Sequence, residues 1–223
     1  MSSMAGAYPL TLCYWYIFWN HFAVKIIYLK FSIMATLSNK KVAILTEHGF
    51  EESELTEPKK ALENAGATVH IVSAQKTVKG WKDGNWSVEL TTDRSLEDTQ
   101  PEEFDALLIP GGVINPDLMR RNPAYIHFAK AFLEAGKPVG AICHGPQLLI
   151  ETGMLKDRKM TSFPSIKTDL ENAGVQWTDA EVVTDRGLVT SRKPADIPAF
   201  NKKIIEEFAE GIHETKKSFE IAS

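Results

Sequence analysis

Ala141-Ile142-Cys143-His144-Gly145-Pro146 is a stretch of sequence that places a thiol between two kinds of structure. The apolar run that ends at Ile142 predicts a buried strand, and the residues from Gln147 onward predict the start of a helix. A sharp turn from strand to helix lifts a nucleophile above the edge of a sheet and directs helix N-terminal amides at it, which favours the thiolate. A buried structural cysteine is the alternative interpretation, but Cys-His-Gly-Pro at this junction favours a nucleophile elbow.

Strand and helix patterns alternate on both sides of this turn, from residue 41 onward. Short apolar runs predict buried parallel strands, and helical spacing follows them. The predicted strands lie at 42–45, 68–72, 106–109 and 138–142, the helices at 52–65, 116–121, 123–135, 165–173 and 195–213, and the hairpin turns at 82–85 and 185–187. This order predicts an α/β fold, an open three-layer sandwich with a mostly parallel central sheet and an active site at the carboxyl ends of its strands.

The composition sets limits on partners and cofactors. The chain has 223 residues, 43% of them hydrophobic, and a net charge of −4, which supports a full core and argues against nucleic acid as the main partner. Its two cysteines, Cys13 and Cys143, have no metal-binding spacing, so we expect neither a zinc site nor a disulfide framework. The chain also lacks the glycine patterns that hold nucleotides, so we expect no cofactor. A free reactive thiol fits a reducing compartment, and we expect a cytoplasmic protein.

Residues 1–33 differ in composition from the rest of the chain. They contain no Asp, Glu or Arg, and they hold nine of the 21 aromatic residues. A membrane-associating or targeting leader is one interpretation, although polar residues interrupt the segment and a basic start is missing. The interpretation we prefer is that this leader is not part of the functional domain. The residues from Met34 onward are typical of the N-terminus of a cytosolic protein, and the first strand follows closely. We therefore expect residues 34–223 to form the α/β domain, and a membrane partner only if 1–33 is retained.

Several groups are candidates to assist the thiol. Hydrolysis by a cysteine nucleophile needs a group that carries protons and amide donors for the developing oxyanion. His144 is the nearest proton carrier, and the backbone amides of Gly111, Gly112 and His144 are the expected oxyanion donors. Glu51 and Glu54 share a face of the first helix, so either carboxyl could reach the sulfur, provided that an apolar pocket keeps it protonated.

Five segments in this order resemble the ThiJ/PfpI family, and most closely its PfpI-type intracellular cysteine proteases and general stress proteins. The segments are 49–55, 104–112, 136–139, 141–147 and 161–164. The likeness extends from residue 40 to about residue 209, and it leaves 1–33 without a counterpart. It implies a flavodoxin-like fold related to class I glutamine amidotransferases.

The resemblance also implies roles for individual residues. Cys143 is then the nucleophile, His144 its partner and Glu54 the carboxyl that bonds the sulfur. In PfpI-type proteins a carboxylate of a neighbouring subunit orients the histidine, and Asp117 matches that position with a shorter arm than the more familiar glutamate. Phe163 stands where family members often have tyrosine, so one possible substrate contact is missing. We therefore expect a homodimer or larger oligomer with its active site partly at the interface.

Three functions remain open at this point. The first is a deglycase or glyoxalase-like hydrolase that acts on methylglyoxal or on its protein and nucleotide adducts, since a thiolate adds readily to such carbonyls. The second is an intracellular cysteine peptidase that acts on peptide substrates. The third is a non-catalytic stress protein that senses oxidation or holds other proteins, because a reactive thiol oxidises easily to sulfinic acid.

Overall fold

The computed structural model describes residues 37–213 of the chain. The segment 1–33 lies outside these described residues, so the predicted domain boundary at residue 34 stays a prediction. Between residues 37 and 213, no helix is both long enough and apolar enough to span a membrane.

Twelve strands and six helices alternate along the described residues. The strands are β1 (Lys41–Leu45), β2 (Phe50–Glu51), β3 (Thr68–Ser73), β4 (Thr77–Lys82), β5 (Asn85–Thr91), β6 (Arg94–Ser95), β7 (Ala106–Ile109), β8 (Val139–Ile142), β9 (Lys159–Met160), β10 (Gln176–Trp177), β11 (Val182–Asp185) and β12 (Leu188–Ser191). The helices are α1 (Glu52–Asn64), α2 (Ile114–Arg120), α3 (Pro123–Glu134), α4 (Pro146–Ile150), α5 (Lys167–Asn172) and α6 (Ile197–Glu210).

The central sheet has seven strands in the order β11-β12-β8-β7-β1-β3-β6. Every neighbouring pair is parallel except β11 and β12, which form an antiparallel hairpin. All residues of β7 and β8 are buried, as is typical of central strands that are covered on both faces. The predicted α/β fold with a mostly parallel sheet is confirmed.

Helices cover both faces of this sheet and so form the outer layers. One core cluster contains Phe128 and Phe132 of α3 together with Leu148 of α4. The other contains Leu55 of α1 and Phe200 of α6. Each helix therefore turns an apolar stripe toward the sheet, which gives the predicted three-layer sandwich.

The two predicted hairpins are also present. Asp83 and Gly84 connect β4 to β5, and Arg186 and Gly187 connect β11 to β12, all four with positive φ angles. Two central residues with positive φ form the turn whose twist suits a two-residue hairpin.

Some element boundaries differ from the prediction. The helix predicted over 165–173 begins as a 3₁₀ turn at Pro164–Ile166 and continues as α5. The last helix ends at Glu210 rather than at 213, because Gly211 has a φ angle of 84° that α-helical backbone cannot continue. The two-residue strands β2, β6, β9 and β10 were missed, since so few residues show no periodicity.

The carboxyl ends of three adjacent strands place the candidate site. β1, β7 and β8 lie side by side, so the loops that follow them meet at one edge of the sheet. These loops are the segment before α1, the turn Pro110-Gly111-Gly112 and the elbow at Cys143.

Candidate active site

The elbow holds Cys143 in a backbone conformation that few residues adopt. Its φ angle is 61°, in the left-handed region, and its backbone is fixed by two hydrogen bonds: its N–H donates to Ser191, and its carbonyl accepts from Phe163. A Cβ at Gly145 would lie 2.7 Å from the carbonyl oxygen of Ile109, so strand and helix meet too closely for any other residue there. The predicted nucleophile elbow is therefore present, and its backbone strain is held by the surrounding strands.

The side chains of Cys143 and His144 meet although they are neighbours on a turn. The sulfur lies 3.2 Å from Nδ1 of the imidazole, and both residues are buried. Burial lowers the pKa of His144, so the ring is neutral at neutral pH and can accept a proton from the thiol. On the other side of the ring, Nε2 lies 3.0 Å from the hydroxyl of Ser165.

The surroundings of Cys143 in the single chain oppose an accessible thiolate. Cys143 is only 7% exposed, and burial raises the pKa of its thiol. The charge of Glu54, when that carboxyl is ionised, raises the pKa of the thiol further. The backbone N–H groups of Gly112 and His144 act in the opposite direction, but burial is the larger effect. We therefore expect the sulfur to keep its proton until a base removes it.

Glu54 is fully buried next to the sulfur. Its Oε2 accepts a hydrogen bond of 3.1 Å from the backbone N–H of Gly111, whereas its Oε1 has no partner among residues 37–213. Burial raises the pKa of Glu54 to about 8, while hydrogen bonding with Cys143 lowers it. The carboxyl is therefore mostly protonated at neutral pH and can donate a hydrogen bond or a proton.

The two glycines of the loop after β7 contact different groups. The N–H of Gly111 donates to Oε2 of Glu54 at 3.1 Å, so this amide is engaged with the carboxyl, and its role as an oxyanion donor stays a prediction. Gly112 has a φ angle of 82°, and a Cβ there would lie 2.3 Å from the carbonyl oxygen of Gly49. This position needs glycine, and its amide, with that of His144, is directed at the sulfur.

The other predicted residues lie at different distances from the chemistry. Glu51 is half-buried just before α1, and its side chain accepts a hydrogen bond from Ser53 rather than reaching the sulfur. Its negative charge contributes to the raised pKa of Glu54. Phe163 stacks on the ring of His144, with ring centroids 4.8 Å apart. Asp117 is exposed in the first turn of α2 and makes no hydrogen bond or ion pair with His144 of the same described chain.

Asn115 is a site residue that sequence reasoning missed. Its buried Oδ1 accepts the N–H of Glu47 at 2.7 Å, and its Nδ2 donates to the carbonyls of Pro110 and Gly111 at 2.8 and 3.1 Å. One side chain thus ties the loop after β1 to the glycine loop after β7. The available signal was an amide residue three positions after the Gly-Gly pair, but its partner Glu47 is 68 residues away in the chain.

A metal is not indicated near the sulfur by the described residues. Within 37–213, potential ligands for a metal ion cluster at Glu207, Glu210 and His213. The N–H of His213 bonds to Gly136, which precedes β8, so this cluster lies at the amino ends of the strands, opposite the elbow. Oε2 of Glu207 and Nε2 of His213 are 3.3 Å apart, so these two side chains contact each other at the end of α6.

Comparisons with known proteins agree with this geometry. The model of the DJ-1/PfpI family matches residues 40–207. General stress protein 18 of Bacillus subtilis is 49% identical over 74% of this chain and 95% of its own length. Protein/nucleic acid deglycase 2 of Escherichia coli is 46% identical over 75% of this chain and 96% of its own.

Two further similarities complete this result. The Bacillus subtilis protein YraA, whose name describes a candidate cysteine protease, is 47% identical over 74% of this chain and 96% of its own length. Drosophila melanogaster DJ-1beta has the same fold, with a TM-score of 0.70 and 29% identity over 76% of this chain and 90% of its own.

Proposed function

This chain belongs to the DJ-1/PfpI family, and from that premise we propose that it is a cysteine-dependent hydrolase of the stress-protein type that removes methylglyoxal or its early adducts from proteins and nucleotides. The relatives named deglycase and general stress protein support a hydrolase of this kind. The exact reaction is our inference from the site.

One observation carries the proposal: the buried sulfur lies between a base and an acid. His144 is neutral and 3.2 Å from the sulfur, and Glu54 is a carboxyl whose pKa is about 8. Addition of a thiol to a carbonyl needs a base to take the thiol proton and an acid to protonate the carbonyl oxygen. Because so little of Cys143 is exposed, a small planar carbonyl reaches it more easily than a polypeptide strand does.

The reaction on an adduct then proceeds in balanced steps. The sulfur of Cys143 forms a bond to the carbon that carries the amine, its proton moves to Nδ1 of His144, and the amine leaves with that proton. In the remaining hemithioacetal, the proton on the first carbon moves to the second carbon and the hydroxyl proton moves to the neighbouring carbonyl oxygen, for which His144 and Glu54 are the available base and acid. This gives a thioester, and water hydrolyses it to a hydroxy acid and the free thiol. Free methylglyoxal enters the same sequence at the hemithioacetal.

Peptide hydrolysis is the second candidate, favoured by the relative whose name describes a cysteine protease. It needs the same nucleophile and base, but also a groove that brings an extended chain to the sulfur. Cys143 would have to become more exposed in an assembly or on substrate binding for that reaction.

Turnover assays on the purified chain separate these functions. Preformed methylglyoxal adducts of lysine and guanine, free methylglyoxal, and fluorogenic peptides are each supplied to the native protein and to Cys143→Ser. We expect hydroxy acid from the adducts and the free aldehyde with the native protein only. Peptide cleavage without hydroxy acid would replace the proposal with a peptidase. If neither reaction occurs while hydrogen peroxide converts Cys143 to a sulfinic acid, the redox function replaces it.

Self-association and location complete the proposal. We propose that the chain forms a homodimer or larger oligomer in the cytoplasm, with Asp117 of one copy near the site of the next, because Asp117 is exposed and reaches no group of its own site. Light scattering on the native protein and on Asp117→Ala tests the assembly: a monomer at micromolar concentration would contradict it.

A further inference from the structure

Ser165 makes a contact in the site to which the proposed reaction assigns no role. Its hydroxyl oxygen lies 3.0 Å from Nε2 of His144, on the side of the ring opposite the sulfur. Ser165 is exposed, whereas His144 and Cys143 are buried. A chain of two contacts therefore leads from the buried sulfur through the imidazole to a hydroxyl in water.

The surrounding loop fixes where this hydroxyl lies. The N–H of Phe163 donates to the carbonyl of Cys143 at 3.0 Å, so the loop is tied directly to the elbow. The ring of Phe163 stacks on the imidazole at an interplanar angle of 24°, and the N–H of Ile166 donates back to Phe163 in a tight turn. Ser165 lies inside this turn, so the position of its backbone relative to His144 is fixed by these contacts.

A hydroxyl suits a ring that gains and loses a proton. Serine can donate one hydrogen bond and accept two, so it pairs with Nε2 whether or not that nitrogen carries a proton. A carboxylate only accepts, and it would favour the charged imidazolium. Since burial keeps His144 neutral at rest, a partner that works in both directions fits the ring better.

We propose that Ser165 is a positioning residue, which holds Nδ1 of His144 toward the sulfur and lets the thiol proton pass through Nε2 to water. This inference rests on the proposed function only in treating His144 as the proton carrier of Cys143. It assigns to a residue of the same chain the orienting role that the family resemblance assigns to Asp117 of a neighbour. The expected consequence is that Cys143 and His144 already have their reactive orientation in a single copy of the chain, before a second copy binds.

Alkylation of Cys143 by iodoacetamide tests the inference without any substrate. The full chain is labelled across a range of pH as the native protein, as Ser165→Ala, as Ser165→Thr and as Thr168→Ala. Thr168 is exposed on α5, just beyond the same loop, and its side chain makes no hydrogen bond within the described residues, so it serves as the matched control.

We expect Ser165→Ala to slow alkylation near neutral pH about fivefold, the usual effect of losing one net hydrogen bond, and to shift the pH profile. Ser165→Thr, which keeps the hydroxyl, should restore the native profile, and Thr168→Ala should match it. The proposal is overturned if Ser165→Ala gives the native profile, or if the threonine variant is as slow as the alanine variant.

A second comparison ties the effect to the imidazole. In a His144→Ala background, Ser165→Ala should change the alkylation rate no further, because the two residues act as one unit. A further fivefold loss in that background would contradict a role through His144. If Asp117→Ala shifted the profile while Ser165→Ala did not, the neighbour's carboxylate would be the orienting group and the inference would be overturned.

The outcome is separable from that of the proposed function. If the native protein converts no carbonyl substrate but the alkylation pattern is as expected, the reaction is wrong and the role of Ser165 stands. If the native protein turns over its substrates while Ser165→Ala labels like the native protein, the reaction stands and this inference fails.

Discussion

Glu47 and Glu54 are two buried carboxyl groups a short distance apart in the chain, and their surroundings differ. Oε1 of Glu47 accepts hydrogen bonds from the hydroxyl of Tyr125 at 3.0 Å and the amide of Gln75 at 3.2 Å, and its Oε2 accepts from the N–H of His48. Glu54 has one backbone donor on Oε2 and none on Oε1. A buried polar group that is fully bonded stabilises structure, whereas one left partly unbonded is a candidate for chemistry.

The region around Glu47 holds the edge of the sheet together. Tyr125 of α3 contacts Glu47 and also lies 3.0 Å from the hydroxyl of Ser73 at the end of β3. The N–H of Ala74 donates to the same phenol oxygen at 2.8 Å. These bonds connect two strands and a helix beside the site, and they give the loop before Glu54 a fixed starting point.

The largest effect should be a loss of turnover when Cys143, the residue next to Glu54 in the site, is replaced. Replacing Cys143 by serine should lower kcat by a factor of about 10³ or more, because an alcohol beside a neutral histidine is a far weaker nucleophile than a thiol. The free energy of unfolding should change by less than about 1 kcal/mol, since the two side chains have similar size. Steady-state assays and urea unfolding on the same samples measure both. A variant that kept a tenth of the native kcat would exclude Cys143 as the nucleophile.

The next largest effect should be on how the free energy of unfolding depends on pH, and it should distinguish Glu54 from Glu47. Folding raises the pKa of Glu54 from the ordinary value of 4.5 to about 8. The protonated carboxyl therefore stabilises the native state fully below about pH 4.5, and this contribution is lost as the pH rises through about 8. Glu54→Gln cannot titrate. Relative to the native protein, its free energy of unfolding should therefore rise with pH across this window, by at most about 1.4 kcal/mol per pH unit.

Urea unfolding of both proteins at several pH values checks this expectation. The isosteric variant Glu47→Gln serves as the control, because it alters a carboxyl of similar burial elsewhere. If native and Glu54→Gln stabilities ran parallel with pH, the carboxyl would not hold its proton in the folded state.

The smallest of these effects should come from Glu47 itself. In Glu47→Gln, an amide NH₂ replaces one acceptor and faces donors such as the N–H of His48. We expect a loss of about 1–2 kcal/mol in the free energy of unfolding, with kcat within about twofold of the native value. A large loss of kcat at unchanged stability would mean that Glu47, too, takes part in the reaction, and the comparison would have to be revised.

The sequence allowed much of this arrangement to be predicted. The apolar runs at 106–109 and 138–142 predicted buried parallel strands, because strands covered on both faces need no alternation. The position of Cys143 followed from the change of periodicity after Ile142. Parallel strands bring their carboxyl ends to one edge, so the loops that meet there were also predictable.

The remaining features depend on contacts between distant residues. Asn115 bonds Glu47 across 68 positions, and Ser165 meets His144 across 21. Neither distance leaves a local pattern in the sequence. The depth of Cys143 was missed for a related reason: an elbow predicts where the sulfur stands on its own strand but not how closely the neighbouring loops cover it.

The protonated carboxyl beside a protonated thiol is tested most directly by the pH dependence of Cys143 alkylation in the native protein and in Glu54→Gln. The native rate should rise with pH and then rise less steeply above about pH 8, because the ionised Glu54 raises the pKa of the thiol. The rate of Glu54→Gln should continue to rise through that range and exceed the native rate. A native rate that is already constant from about pH 6 to about pH 9 would show a resting thiolate, and identical profiles would show that Glu54 does not act on the sulfur; either result would contradict the mechanism.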